Sequence, residues 1–179
     1  MQRDLSPVER LDPHTAVNTT IMAEPWVYAR ELPAIAANAR DYLNVGVVET
    51  NRAGQRRYWL GVVAWSTIDR SAVPGQAVSL QPQRVRLGWV DGELELTPVS
   101  GGRQALGANE PIFAPPQPAF REAWYALSPA ELERLAREPP QFVSLDREGD
   151  MPARYESWQV GRQSMKAFRE ATGVGSPVR

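Results

Sequence analysis

Any acid–base chemistry in this chain would have to come from carboxylates, hydroxyls and arginine. The sequence contains no Cys, one His (His14) and one Lys (Lys166), against 21 Asp+Glu and 20 Lys+Arg. A chain without Cys has no thiol nucleophile, no disulfide framework and no Cys-based metal site. A single His also leaves no multi-His site, so we predict neither a metal nor another cofactor.

Paired carboxylates are the remaining route to an enzyme. Glu93 and Glu95 share one face of a predicted strand, near the separation that a glycosidase needs. Arg84 and Arg86 lie across the same predicted hairpin, however, and a charge-balanced surface explains all four side chains better than a catalytic pair. The other acidic candidates, in predicted loops, are Asp69, Asp146 and Asp150. We assign no catalytic residue.

Segment 101–107 (GGRQALG) has the glycine content of a phosphate-binding loop. It is followed by Ala108 and Asn109, whereas a P-loop ends in Lys and Ser or Thr. We therefore predict a flexible loop here and not a nucleotide site. The surrounding segment 98–118 is rich in Pro and Gly, which is typical of a loop that is either functional or mobile.

The densest basic cluster is Arg52, Arg56 and Arg57, around a predicted hairpin. It could contact a phosphate or an acidic partner. Trp residues on predicted strands could form a stacking platform, although a place in the core is the more common role. We take the three arginines and Trp89 as a candidate binding surface. The net charge of −1 argues against nucleic-acid binding.

Two hairpins dominate the predicted secondary structure. In the first, residues 42–50 and 55–67 flank the loop 51–54, which would place Glu49 opposite Arg56. In the second, residues 84–90 and 93–97 flank Asp91-Gly92, which would place Trp89 opposite Leu94 and Leu87 opposite Leu96. The run 58–65 is apolar on both alternating faces, which is typical of a central strand that is covered on both sides.

Helical signals are fewer and shorter. Apolar spacing predicts a short helix over 32–43. A capping box at Ser128 with Pro129 predicts a second helix that ends before Pro139, and residues 164–172 suit a third. The fold class is therefore mainly β (α+β): an antiparallel β-sandwich or a strongly curved sheet with two or three short helices.

The chain is expected to contain one structural domain. Residues 1–20 are polar and predict a flexible tail or tether, 21–173 a single β-rich domain, and 174–179 a frayed tail. The first twenty residues contain no apolar run of the kind found in a signal peptide. A mature exported domain whose signal peptide has been removed would begin in this way, as would a cytoplasmic protein.

Segments 39–70 (ARDYLNVGVVETNRAGQRRYWLGVVAWSTIDR) and 155–173 (YESWQVGRQSMKAFREATG) resemble small uncharacterised exported lipoproteins of Gram-negative bacteria. The resemblance implies a β-rich fold in the periplasm or anchored to the outer membrane, and it brings no catalytic motif. A lipid on a Cys of the removed segment would be the only membrane contact. The alternative location is the cytoplasm.

Together these features favour a non-enzymatic, periplasm-facing domain that binds an envelope protein or another envelope component. The alternative is a carbohydrate-binding or carboxylate-dependent carbohydrate-active module, whose partner would be a glycan. An exposed Trp beside paired carboxylates would favour that alternative, and burial of all six Trp would remove its basis.

Overall fold

A computed structural model describes residues 3–33, 35–68, 81–147 and 152–174. It shows a strongly curled antiparallel sheet that forms a half-barrel, with two short helices in this part of the chain. The predicted mainly β class with a strongly curved antiparallel sheet is confirmed. The elements are β1 (Val8–Asp12), β2 (Val17–Ile21), β3 (Trp26–Glu31), β4 (Arg40–Arg52), β5 (Gln55–Ser66), β6 (Pro82–Trp89), β7 (Gly92–Leu96), β8 (Phe120–Leu127), α1 (Pro129–Arg137), β9 (Phe142–Arg147), β10 (Ala153–Gln159) and α2 (Arg162–Thr172).

Strand β4 is the centre of the sheet because its length lets it pair with three other strands. Along one edge it pairs with β3 over Arg40–Val45 and with β2 over Val48–Asn51. Along its other edge it pairs with β5, which in turn pairs with β8. The sheet continues from β3 through β10, β9 and β6 to β7.

The β4–β5 hairpin is confirmed, but its predicted register is wrong. The turn consists of Ala53 and Gly54, with φ angles of 51° and 84°, and a two-residue turn of this kind matches the twist of the strands that it joins. The shorter turn draws Arg52 into the ladder. Glu49 therefore lies opposite Tyr58 and not opposite Arg56.

The β6–β7 hairpin is also confirmed, with a register shifted by two residues. Leu87 lies opposite Leu94 and Trp89 opposite Gly92, so the turn consists of Val90 and Asp91. A shift of two leaves every side chain on its predicted face. A tertiary contact favours this turn, because Arg134 of α1 pairs with Asp91 and lies 4.6 Å above the Trp89 ring.

The concave face of the sheet carries the larger hydrophobic core. Leu43, Val45 and Val47 of β4 are fully buried in it, and the helices contribute Leu135 and Phe168. The predicted capping box and C-cap are confirmed: Ser128 and Glu131 form the capping box of α1, and Gly173, with φ 72°, ends α2. Helix α2 begins at Arg162, two residues before the predicted start at Ser164.

The opposite face of β4, β5 and β8 is covered by the 98–118 loop. Gly46 and Gly61 lie opposite each other there, and their missing side chains make room for the rings of Phe113 and Trp124. Asn44 donates a 3.1 Å hydrogen bond to the Phe113 carbonyl. Strand β5 is therefore covered on both faces, as predicted, and the loop is part of the core.

The expectation of a flexible tail over residues 1–20 is wrong for residues 8–20. Strands β1 and β2 form a hairpin that pairs with β4, and Val17 and Ile21 are buried. The sequence of β2 (VNTTI) shows no alternation of apolar and polar residues, and the strand is stabilised by its pairing with the second half of β4, beyond the end of β3. The tail predicted over 174–179 lies, apart from Val174, outside the described residues.

The predicted helix over 32–43 is also wrong. Arg40–Leu43 belong to β4, and the residues described between β3 and β4 form turns, with the Ile35 amide donating to the Leu32 carbonyl at 3.0 Å. A helix of about three turns is only marginally stable by itself. The hydrogen bonds that β4 forms along both of its edges stabilise the strand instead. Within the described ranges, no helix has both the length and the apolar character needed to cross a bilayer.

One ion pair is buried at the end of the concave core. Arg147 of β9 and Asp41 of β4 lie 3.2 Å apart, with side chains that are 0% and 1% exposed. The pair joins two strands that are not neighbours in the sheet. Because both charges are removed from water, each depends on the other far more than surface ions do.

Replacing Gly46 by Ala is expected to destabilise the fold by about 1–3 kcal/mol through overpacking. A Cβ atom at this position would lie 2.3 Å from the Phe113 ring. Urea unfolding measures the loss. In a Phe113→Ala background the same substitution should be neutral or slightly stabilising, and an equal penalty in both backgrounds would contradict the packing described here.

Arg147→Met should lower the free energy of unfolding by about 3–5 kcal/mol, because it removes a buried cation that lies 3.2 Å from the Asp41 carboxylate. Arg154→Met is the matched control, since the Arg154–Glu156 pair is more than half exposed and should change stability by less than about 1 kcal/mol. Chemical denaturation of both variants measures the free energy of unfolding. Similar losses in the two variants would show that the buried pair contributes no more to stability than the exposed pair.

Candidate anion-binding cleft

A cleft of about 390 Å³ opens on the face of the sheet that the 98–118 loop covers. It lies between the β1–β2 hairpin, the tip of the β4–β5 hairpin and a 3₁₀ turn over Gly102–Leu106. We call it the hairpin cleft. Its lining residues are His14, Thr15, Val17, Thr50, Arg52, Gln55, Arg57, Trp59, Gln104, Ala105, Leu106 and Gly107.

Two predicted site residues, Arg52 and Arg57, lie together in this cleft. The register places Arg57 opposite Thr50 and Arg52 opposite Gln55, so all four side chains project from the same face. Both arginines are exposed. Neither forms an ion pair with any acidic side chain in the described part of the chain.

The floor of the cleft is rigid and offers hydrogen-bonding groups. The Trp59 ring is 6% exposed, and its Nε1 donates a 2.9 Å hydrogen bond to Thr50 Oγ1. Gln55 and Gln104 add amide groups to the wall. The cleft thus combines two positive charges with neutral donors and acceptors, and the described residues that line it include no Asp or Glu.

The rim is fixed by contacts between the β1–β2 turn and the loop. Thr15 Oγ1 donates a 2.9 Å hydrogen bond to the Gly107 carbonyl. The Asp12 carboxylate accepts hydrogen bonds from the His14 amide and from Asn109 Nδ2, and the His14 amide is the main reason why the pKa of Asp12 is lowered. These contacts hold His14 at the edge of the cleft.

The other two predicted site residues lie elsewhere. Arg56 projects from the opposite face of β5, near the Thr172 carbonyl and Tyr58. Burial, assisted by Glu49, raises the pKa of Tyr58 to about 12. Trp89 is 6% exposed and packs in the concave core. The structure therefore keeps Arg52 and Arg57 together and separates them from Arg56 and Trp89.

The acidic candidates do not form an isolated carboxylate pair. Glu95 and Asp146 share Arg84 and Arg86, with nitrogen–oxygen distances of 3.1–3.4 Å, which confirms the predicted Arg/Glu face of this hairpin. Asp69 and Asp150 lie outside the described residues. Among the residues described, no three His, Asp or Glu side chains converge as a metal site would require.

One functional candidate was missed by the sequence reasoning. Trp158 is 49% exposed, its ring lies 5.8 Å from Tyr42, and Arg40 lies 4.8 Å from its centroid. Tyr42 stacks on Trp65 at 4.4 Å. A signal for its exposure was present in the sequence. Glu156 and Trp158 occupy alternate positions in β10, and a charged residue at such a position indicates that its face of the strand is open to solvent.

Searches against protein-family models, curated proteins and solved structures found no match to this chain. Its chemistry has to be inferred from the geometry of its own residues.

Arg52→Gln and Arg57→Gln should each change the free energy of unfolding by less than about 0.5 kcal/mol, because neither guanidinium pairs with a carboxylate among the residues that the structure describes. Arg103→Gln is the contrasting variant. It would leave the largely buried Glu122 carboxylate, 2.5 Å away, without its cation, at a cost of about 1–3 kcal/mol. A large loss in Arg52→Gln or Arg57→Gln would show that these arginines hold the fold together.

Proposed function

We propose that this protein is a non-enzymatic, periplasm-facing domain of the bacterial envelope that binds an anionic envelope component in the hairpin cleft. The observation that carries the proposal is the pair of exposed guanidinium groups, Arg52 and Arg57, beside a cleft in which no lining residue that the structure describes is acidic. The envelope location rests on the resemblance of residues 39–70 and 155–173 to exported lipoproteins.

Local charge makes the cleft selective for anions. The guanidinium group forms paired hydrogen bonds to a phosphate or a carboxylate, and these bonds are stronger than bonds between neutral groups. Elsewhere on the protein, arginines such as Arg84 and Arg86 are neutralised by carboxylates. With a net charge of −1, long-range attraction is weak, so the contacts within the cleft would determine binding.

The size and lining of the cleft favour binding over catalysis. A volume of about 390 Å³ is at the lower end of the range for small-ligand sites, which suits one anionic group with a small substituent. The described lining residues supply cations and hydrogen-bonding groups but no carboxylate that could act as a general base. His14 lies at the exposed rim.

The test is isothermal titration calorimetry with glycerol 3-phosphate, and with glycerol as the neutral probe. The phosphate should bind and the glycerol should not, and Arg52→Gln and Arg57→Gln should each weaken binding by about ten-fold or more, the loss expected for a hydrogen bond to a charged group. Arg154→Gln, which changes an exposed arginine outside the cleft, should have no effect. Equal affinity in all three variants would overturn the proposal.

A carbohydrate-binding role is a second candidate, supported by the half-exposed Trp158 ring beside Tyr42. Aromatic rings of this kind provide an apolar surface with a polar edge. Four of the six Trp are buried, namely Trp26, Trp59, Trp89 and Trp124. The aromatic surface available to a sugar is therefore small and consists of Trp158 with its neighbours Tyr42 and Trp65. Binding of a neutral oligosaccharide that is lost in Trp158→Ala but kept in Arg57→Gln would favour this role.

A further inference from the structure

Thr50 is the least exposed of the hydroxyl, amide and guanidinium residues that line the hairpin cleft. It is 6% exposed. The other residues of this kind are half-buried or exposed, namely Thr15, Arg52, Gln55, Arg57 and Gln104. A hydrogen bond between an anion and Thr50 would therefore be better shielded from water than one at the rim, and such shielding strengthens it.

The Trp59 indole determines how the Thr50 hydroxyl can be used. Trp59 Nε1 donates a 2.9 Å hydrogen bond to Thr50 Oγ1. An indole nitrogen is a donor only, whereas a hydroxyl accepts hydrogen bonds and also has one proton to donate. Within the described part of the chain, no acceptor receives the Thr50 proton. It is available to a ligand in the cleft.

The register of β4 and β5 places both cleft arginines around this hydroxyl. Arg57 lies directly opposite Thr50, and Arg52 follows Thr50 by two residues on the same face of β4. Directly opposite residues of an antiparallel pair have Cβ atoms about 5 Å apart, and the other two separations are about 7 Å. Three donor groups therefore surround one point above Thr50.

The loop side of the cleft has fewer donors to offer an anion. The Gly107 amide donates to the Gln104 carbonyl at 3.1 Å, and the Gly107 carbonyl accepts the bond from Thr15. An anion would therefore be bound mainly from the side of the sheet, by the donors of β4 and β5.

The number of these donors suits a tetrahedral oxyanion. A carboxylate has two oxygens, and a single guanidinium group can bond to both of them. A phosphate monoester has three terminal oxygens and a charge of about −1.5 to −2 at pH 7. It can balance two arginines and still has an oxygen for the hydroxyl.

We infer that the hairpin cleft selects a phosphate monoester over a carboxylate. Thr50 Oγ1 donates to one phosphate oxygen, and Trp59 is a positioning residue that orients this hydroxyl. The inference rests on the proposed function, because Arg52 and Arg57 must hold the anion. It adds that the shape of the anion, as well as its charge, determines affinity.

The experiment is calorimetry with ethanesulfonate and propionate. Both probes have an ethyl group and one negative charge, but the sulfonate has three oxygens and the carboxylate two. Ethanesulfonate should bind about ten-fold more tightly, the factor expected for one more hydrogen bond to a charged group. Ethyl phosphate, with its additional charge, should bind more tightly than either.

Thr50→Val removes the hydroxyl at nearly constant shape and should abolish the preference for ethanesulfonate, whereas Thr50→Ser should keep it. Thr19→Val is the matched control. Thr19 lies opposite Thr50 on β2, is 4% exposed and is not among the residues that line the hairpin cleft. A purely structural effect would lower the affinities for both probes by the same factor and leave their ratio unchanged.

Thr50→Val also leaves the buried Trp59 Nε1 without its acceptor, which weakens the fold. The double variant Trp59→Phe/Thr50→Val has no such unpaired group and should likewise show no preference. Trp59→Phe alone keeps the hydroxyl but not its orientation, so it should reduce the preference without abolishing it.

The outcomes separate the two proposals. Equal affinity for ethanesulfonate and propionate, with both lost in Arg52→Gln and Arg57→Gln, would overturn the selectivity and leave the anion site intact. A preference that persists in Thr50→Val and in the double variant, or that is lost equally in Thr19→Val, would overturn the role of Thr50. Absence of binding to all three anions, or binding unchanged in both arginine variants, would overturn both proposals.

Discussion

The packing of two aromatic rings against two glycines is the contact on which the rest of the structure depends. Gly46 and Gly61 lie opposite each other in the central hairpin, and the Phe113 and Trp124 rings occupy the space that side chains would otherwise fill. This contact holds the 98–118 loop on the sheet and creates a second core beneath it. The loop also forms one wall of the hairpin cleft, through Gln104, Ala105, Leu106 and Gly107.

The distribution of paired and unpaired arginines gives this scaffold its chemistry. On the β6–β7 hairpin, Arg84 and Arg86 are neutralised by Glu95 and Asp146, and Arg147 is buried against Asp41. Within the described ranges, no Asp or Glu pairs with Arg52 or Arg57 near the tip of the β4–β5 hairpin. Two guanidinium groups therefore face the hairpin cleft without a described carboxylate partner, which is why we propose an anion as the ligand.

Local sequence patterns predicted most of the elements, but not the β1–β2 hairpin, and they wrongly predicted a helix over 32–43 and the registers of the β4–β5 and β6–β7 hairpins. The Ser128 capping box and the Gly173 cap were found because both signals lie within a few residues of the helix ends. The face on which each strand residue lies was predicted correctly, because a register shift of two residues leaves every side chain on the same face of the sheet. Glu49 was paired with the wrong partner, since the β4–β5 turn is shorter than the loop that was assumed. The β1–β2 hairpin was missed because the open edge of β4 that receives it is distant in sequence.

The sequence by itself determined the mainly β class, the β4–β5 and β6–β7 hairpins, the limits of α1, the end of α2, and the coarse place of the basic cluster. These properties depend on alternation, turn residues and caps, which act over short stretches of chain. Only the tertiary structure decided that Arg52 and Arg57 share a cleft while Arg56 points to the other face and Trp89 lies in the core. A cleft is built from segments far apart in the chain, and their meeting depends on packing that no local pattern encodes.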